Sequence, residues 1–135
     1  MAVASSLVMG FSWKNALAQV ASNPVITCHP QSLAIQMDNE AKFTVHAENP
    51  TPPLVRQTLM YQWQMRGPGL TNYLNIAGAT NDTLTFTHVT TNYVAYYRVN
   101  VTGSHYTNST TTSEPAQLLV WTTNSPLLVF GSSVV

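Results

Sequence analysis

Four histidines, one cysteine and five carboxylates are the side chains that could bind a metal or move a proton. The histidines are His29, His46, His88 and His105, and no two stand at the i,i+4 spacing that puts a ligand pair on one helix face. The single thiol, Cys28, is next to His29, and neighbours on a strand point to opposite faces, so the two do not converge on one ion. Asp38 and Glu40 share one turn-like stretch, while Asp82 and Glu114 lie far apart in other loops. A calcium loop needs several converging oxygens, and no Asp-x-Asp-x-Asp run exists. Serines abound, but no G-x-S-x-G elbow is present to expose one as a nucleophile. The expectation is therefore no enzyme, no catalytic residue, no metal site and no cofactor. Cys28 reads as a small strand residue.

Composition narrows the class further. Charged residues make up 7% of the 135, far below the roughly 25% usual in soluble domains. Thr, Ser, Asn and Gln supply the polarity, which suits strands and turns. Apolar residues reach 44%, enough for one core. Five basic residues balance five acidic ones, so no basic patch is expected and nucleic acid is excluded as a partner. A lone cysteine forms no internal disulfide. No run of 18 apolar residues exists, so no membrane-spanning helix is expected.

The elements follow from periodicity. Residues 1–22 read as an N-terminal arm. It has a signal-like Ala16-Leu17-Ala18, but Lys14 falls after the apolar part, and a short helix over 13–21 would end at Asn23-Pro24. From Val25 the period is two. Val25–Cys28 and Leu33–Ile35 read as an edge strand broken at His29-Pro30. Residues 41–47 alternate cleanly, with Ala41, Phe43, Val45 and Ala47 inward. Residues 48–58 form a proline-rich loop. Leu59–Met65 follows, with Tyr61, Trp63 and Met65 on one face, and then short strands over 73–76 and 83–87. Residues 88–94 cross between sheets, 95–102 is a strand, 103–114 a polar loop, and Ala116–Trp121 the closing strand. Residues 122–135 read as a C-terminal arm with an apolar run at Leu127, Leu128, Val129 and Phe130. Seven or eight short strands make an all-β sandwich.

Four segments carry a resemblance: Tyr61-Gln62-Trp63, then Ile76-Ala77-Gly78-Ala79-Thr80 with Thr83-Leu84-Thr85, then Tyr97-Arg98-Val99, then Ala116-Gln117-Leu118-Leu119-Val120. In this order they resemble the immunoglobulin-like domains of bacterial surface proteins and bacteriophage structural proteins, over about residues 24–121. The resemblance implies an immunoglobulin-like antiparallel sandwich over 23–121. It makes Trp63 the core tryptophan, burying on the order of 200 Å², and Tyr97 the corner tyrosine. Val45 and Val99 stand where antibody-type domains carry their two cysteines, so a bridge contributing about 2–4 kcal/mol is absent. The expected structural core is Phe43, Val45, Tyr61, Trp63, Leu84, Phe86, Tyr97, Val99 and Leu118.

The implied role is a non-enzymatic virion structural protein, an immunoglobulin-like decoration or minor capsid protein. Its arms would attach it to other virion proteins of the capsid shell or to copies of itself, through Leu7, Val8, Phe11 and Trp13 and through Leu127, Leu128, Val129 and Phe130. Exposed loops at 48–58 and 103–114 would touch the host surface, including its glycans. The alternative is a bacterial cell-surface or secreted adhesion module, or a carbohydrate-binding accessory domain that stacks sugar on Trp121 or Tyr106. One unit without internal repeats favours the virion over a tandem adhesin. Asn81, Asn100 and Asn108 begin formal glycosylation sequons, expected to be unmodified.

Overall fold

A computed structural model describes residues 23–49, 57–104 and 109–123. Ten strands and one 3-10 turn, Thr91–Tyr93, make up the described elements. The strands are β1 (Val25–Cys28), β2 (Leu33–Gln36), β3 (Ala41–Thr44), β4 (His46–Glu48), β5 (Leu59–Arg66), β6 (Leu74–Asn75), β7 (Thr83–Phe86), β8 (Ala95–Gly103), β9 (Thr110–Thr112) and β10 (Ala116–Trp121).

One layer runs β2-β10-β8-β5-β6, with β9 also paired to β8. The other is built from the pairs β1-β4 and β3-β7. The chain changes layer at His29-Pro30. Before it, β1 pairs antiparallel with β4. After it, β2 runs parallel to β10, with Leu33 opposite Leu118 and Gln36 opposite Trp121. Proline cannot donate to a ladder, so the break between layers falls where the sequence has least to lose.

Period-two patterning decides which side chains meet between the layers. In β8, Ala95, Tyr97, Val99, Val101 and Gly103 are buried and the residues between them are not. Phe43 from the second layer lies 6.2 Å from Trp63 and 5.2 Å from Tyr97, ring centre to ring centre. Phe86 lies 5.4 Å from Tyr97 and 4.9 Å from Tyr93. These tilted pairs bridge the two sheets at favourable aromatic distances. The fold is an immunoglobulin-like β-sandwich.

Local differences from the sequence expectations have physical causes. The strand expected over 41–47 is two strands, because it changes partner after Val45: Ala41–Thr44 pairs with β7, a register the Val45 amide continues by donating to the Asp82 carbonyl at 3.0 Å, and His46–Glu48 pairs with β1. The strand expected over 73–76 shortens to Leu74–Asn75. The polar stretch expected as a loop over 103–114 contains β9, and β8 itself extends to Gly103. A Ser-Thr run has no apolar alternation to reveal a strand. It pairs with β8 through Thr110–Thr112, and Ser113 extends the register, its backbone N–H donating to the Val99 carbonyl at 2.9 Å. The Ser113 Oγ accepts from the Val99 N–H at 3.0 Å. The N-terminal arm with its expected helix over 13–21, residues 50–56 of the proline-rich loop, and residues 124–135 of the C-terminal arm lie outside the described residues.

Candidate binding surface

The motif around Trp63 is a device for positioning. The turn Ile76-Ala77-Gly78-Ala79 closes through the Ala79 N–H on the Ile76 carbonyl at 3.2 Å. Gly78 has φ of 73°, a left-handed conformation that glycine adopts at least cost. The turn thus folds back on β5: the Ile76 N–H donates to the Trp63 carbonyl at 2.9 Å, and the Trp63 N–H donates to the Ala79 carbonyl at 3.0 Å. The indole Nε1 completes the set by donating to the Asn81 carbonyl at 2.9 Å.

Of the nine expected core residues, Phe43, Val45, Trp63, Leu84, Tyr97, Val99 and Leu118 are buried. Tyr61 and Phe86 are half-buried. The Tyr97 hydroxyl donates to the Tyr93 carbonyl at 2.8 Å. Burial foremost, then the neighbouring Tyr93, pushes the Tyr97 phenol up to about 12. Burial, and secondarily Asp82, also raises the Tyr61 phenol. Tyr61 lines an open groove with Leu59, Ile76, Leu84 and Phe86.

Among the described residues the titratable groups considered for chemistry meet at most in pairs, as where the β1-β4 register sets Cys28 opposite His46. Among the described residues, no three of His, Cys, Asp and Glu gather as a metal would require. Cys28 is exposed. The His29 Nδ1 accepts from the Glu114 backbone N–H at 3.0 Å. The His88 Nδ1 sits 3.2 Å from the Asp38 carbonyl. Of the sequon asparagines, Asn100 Oδ1 accepts from Thr112 at 2.8 Å and Asn81 is exposed. His105, Tyr106, Asn108 and the apolar arm residues Leu7, Val8, Phe11, Trp13, Leu127, Leu128, Val129 and Phe130 lie outside the described residues.

What the fold gathers instead lies on the outward face of the larger sheet. The register sets Arg66 opposite Tyr96 and Gln64 opposite Arg98 on adjacent strands. The Arg66 guanidinium lies 4.7 Å from the centre of the Tyr96 ring and 5.0 Å from that of Tyr73. The Arg98 guanidinium stacks over the same Tyr73 ring at 3.9 Å. A belt of polar rungs holds the surroundings. Arg98 Nε donates to Gln64 Oε1, and Gln64 Nε2 donates to Asn75 Oδ1, each at 2.8 Å. Farther along, Thr112 bonds Asn100, and Thr102 bonds Thr110. On β10 of the same sheet, Leu119 and Trp121 alternate with the buried Leu118 and are exposed. The sequence reading missed the arginine-tyrosine group because its four members come from separate segments and balanced charge hides it. The available signal was the outward phase of Arg66, Tyr96 and Arg98 in two alternating strands.

No family model matches the chain, and no curated protein matches it. Solved structures do. An I-band fragment from titin aligns with 75% of this chain at 17% identity and TM-score 0.53, and the chain covers 33% of that fragment. Tandem Ig repeats of Dlar align with 76% at 17% identity and TM-score 0.56, with 50% of that chain covered. Three N-terminal domains of the bacteriophage RB49 Highly Immunogenic Outer Capsid protein align with 73% at 12% identity and TM-score 0.58, with 40% covered. The chain thus spans half or less of these multidomain neighbours, and the likeness at such identity is one of fold. Two sheets closed over Trp63 and Tyr97, together with the likeness to these neighbours, give this chain an immunoglobulin-like fold.

Proposed function

We propose that the chain is a non-enzymatic virion structural protein: an immunoglobulin-like decoration or minor capsid protein of a bacteriophage. It presents one sandwich outward and attaches through its apolar arms. The observation that carries this is the closed core. Twelve buried hydrophobic residues between Ala41 and Leu118 form one cluster. Among the described residues the core takes its largest side chains from the sandwich, and in this reading the apolar residues of 1–22 and 122–135 serve as grips on other virion proteins. The likeness to outer-capsid domains of a phage supports the setting through fold alone. The test is deletion of either arm. The shortened chains should keep the thermal melt of the whole protein and cease to co-sediment with particles. Full retention on particles would refute attachment by the arms.

A second reading, a cell-surface adhesion or carbohydrate-binding module, is favoured by the exposed Trp121 and the arginine-tyrosine face. Loss of glycan binding on changing Trp121 to Ala would support it, and export of the product would place it at the cell surface.

A further inference from the structure

We propose that the outward face bearing Arg66, Arg98, Tyr73 and Tyr96 is a binding site for a carboxylated sugar, such as a uronic acid unit of an acidic polysaccharide. This deepens the view of the sandwich as a displayed module, and rests on that view only in needing the face to be accessible.

Three observations bear on it. First, two guanidinium groups share one aromatic ring, Tyr73. Two positive groups gathered around one ring attract an anion more strongly than either would alone. Among the described residues no carboxylate comes within 4.0 Å of either arginine. All five acidic residues are described, and they sit in the Asp38–Glu40 turn, in β4, before β7 and in the link between β9 and β10. Second, the Arg66 Nε is shielded from solvent and has no hydrogen-bond partner. An atom closed to water is closed to a surface anion as well, so a carboxylate on this face is met by the terminal nitrogens of the guanidinium rather than by Nε. Third, both guanidiniums are fixed in place, by ring stacking and by the Arg98–Gln64 bond. Their forks meet a planar carboxylate with little further loss of side-chain freedom.

The surroundings select the kind of carboxylate. A protein partner is usually held by an apolar anchor seated in a pocket. The immediate neighbours here are amides, Gln64 bonded to Arg98 and Asn75 bonded to Gln64, with the hydroxyls of Thr112 and Thr102 farther along the same sheet. These pair with sugar hydroxyls. A symmetric pairing with a second copy would set the arginines of one face against those of the other, which charge opposes. The face is an open sheet rather than a deep pocket, so single units bind weakly and a polymer gains by presenting many.

The test is a titration of the full chain followed by amide NMR, with an oligogalacturonate as probe. Its methyl ester, inorganic phosphate and a glutamate-rich peptide are the comparisons. Shifts should concentrate at Arg66, Tyr73, Tyr96 and Arg98, and the ester should bind at least about tenfold more weakly. Arg98→Gln should lose binding by a similar factor with its thermal melt retained, and Arg98→Lys should restore part of it. If Arg98→Gln does not fold, the acid-ester comparison on the unaltered chain still decides. Equal binding of the ester, no binding of the oligogalacturonate, or shifts elsewhere would overturn the proposal. So would phosphate reproducing the shifts at equal concentration, or the peptide binding more tightly. None of these results touches attachment by the arms, which is measured on particles.

Discussion

The indole of Trp63 donates to the backbone carbonyl of Asn81 at 2.9 Å, so the centre of the core is tied directly to the loop that leads into β7. The same loop supplies the Asp82 carbonyl that the Val45 amide uses. One fully buried side chain thereby fixes the approach of one sheet to the other. Trp63→Phe keeps much of the packing but leaves that carbonyl without its donor. It should destabilise by about 1–3 kcal/mol. Trp63→Ala should cost about 3–5 kcal/mol, a large part of a small domain's stability. Urea midpoints of the two variants check this, and a Trp63→Ala chain as stable as the parent would contradict it.

Tyr97 makes stability depend on alkaline pH. Its phenol is raised from 10.0 to about 12 in the folded chain. The folded state therefore keeps a proton that the unfolded state has lost, and the resulting stability is full below pH 10 and declines as pH rises towards 12. The decline should be on the order of 2 kcal/mol. The raised Tyr61 phenol acts in the same direction. In Tyr97→Phe the parent's slope between pH 10 and 12 should largely disappear, alongside a pH-independent loss of about 1–2 kcal/mol from the unpaired Tyr93 carbonyl. Chemical denaturation across that range measures both.

Gly103 is needed for closeness. A Cβ placed there would run into the Gln57 carboxamide. Gly103→Ala should therefore cost about 1–3 kcal/mol through overpacking. Combining it with Gln57→Ala, which removes the obstructing atoms, should cost less than the sum of the two single changes. An additive double mutant would show that the two residues do not press on each other.

Ser113 replaces ladder geometry where β9 gives way to β10. Its hydroxyl accepts from the buried Val99 amide and donates to the Glu114 carbonyl. Ser113→Ala should cost about 1–3 kcal/mol by leaving that amide unsatisfied. It should also speed hydrogen exchange at Val99 more than at Val101, whose burial is unchanged.

The sandwich was legible in the sequence because its inward residues repeat at period two. Phe43 and Val45, Tyr61 and Trp63, Tyr97 and Val99 each declare a face without any help from distant parts of the chain. Gly78 marks a turn for an equally local reason. Strand β9 was not legible, since Thr110–Thr112 has no apolar phase and is held by pairing to β8 across a hairpin. The arginine-tyrosine face was illegible for a different reason. Arg66 and Tyr73 belong to one stretch of chain and Tyr96 and Arg98 to another, and only the β5-β8 register sets them side by side. Balanced charge gave no expectation of a basic patch, yet two of five basic residues meet on one sheet face, and among the described residues no carboxylate lies within ion-pair reach of either.

The most direct measurement compares the full chain with a fragment of residues 23–123, by thermal melting and by sedimentation with particles from the producing host. A core sealed around Trp63 and Tyr97 within the sandwich should give the fragment a cooperative melt within a few degrees of the parent, with particle association gone. An unfolded fragment, or one that still sediments with particles as the full chain does, would contradict the account.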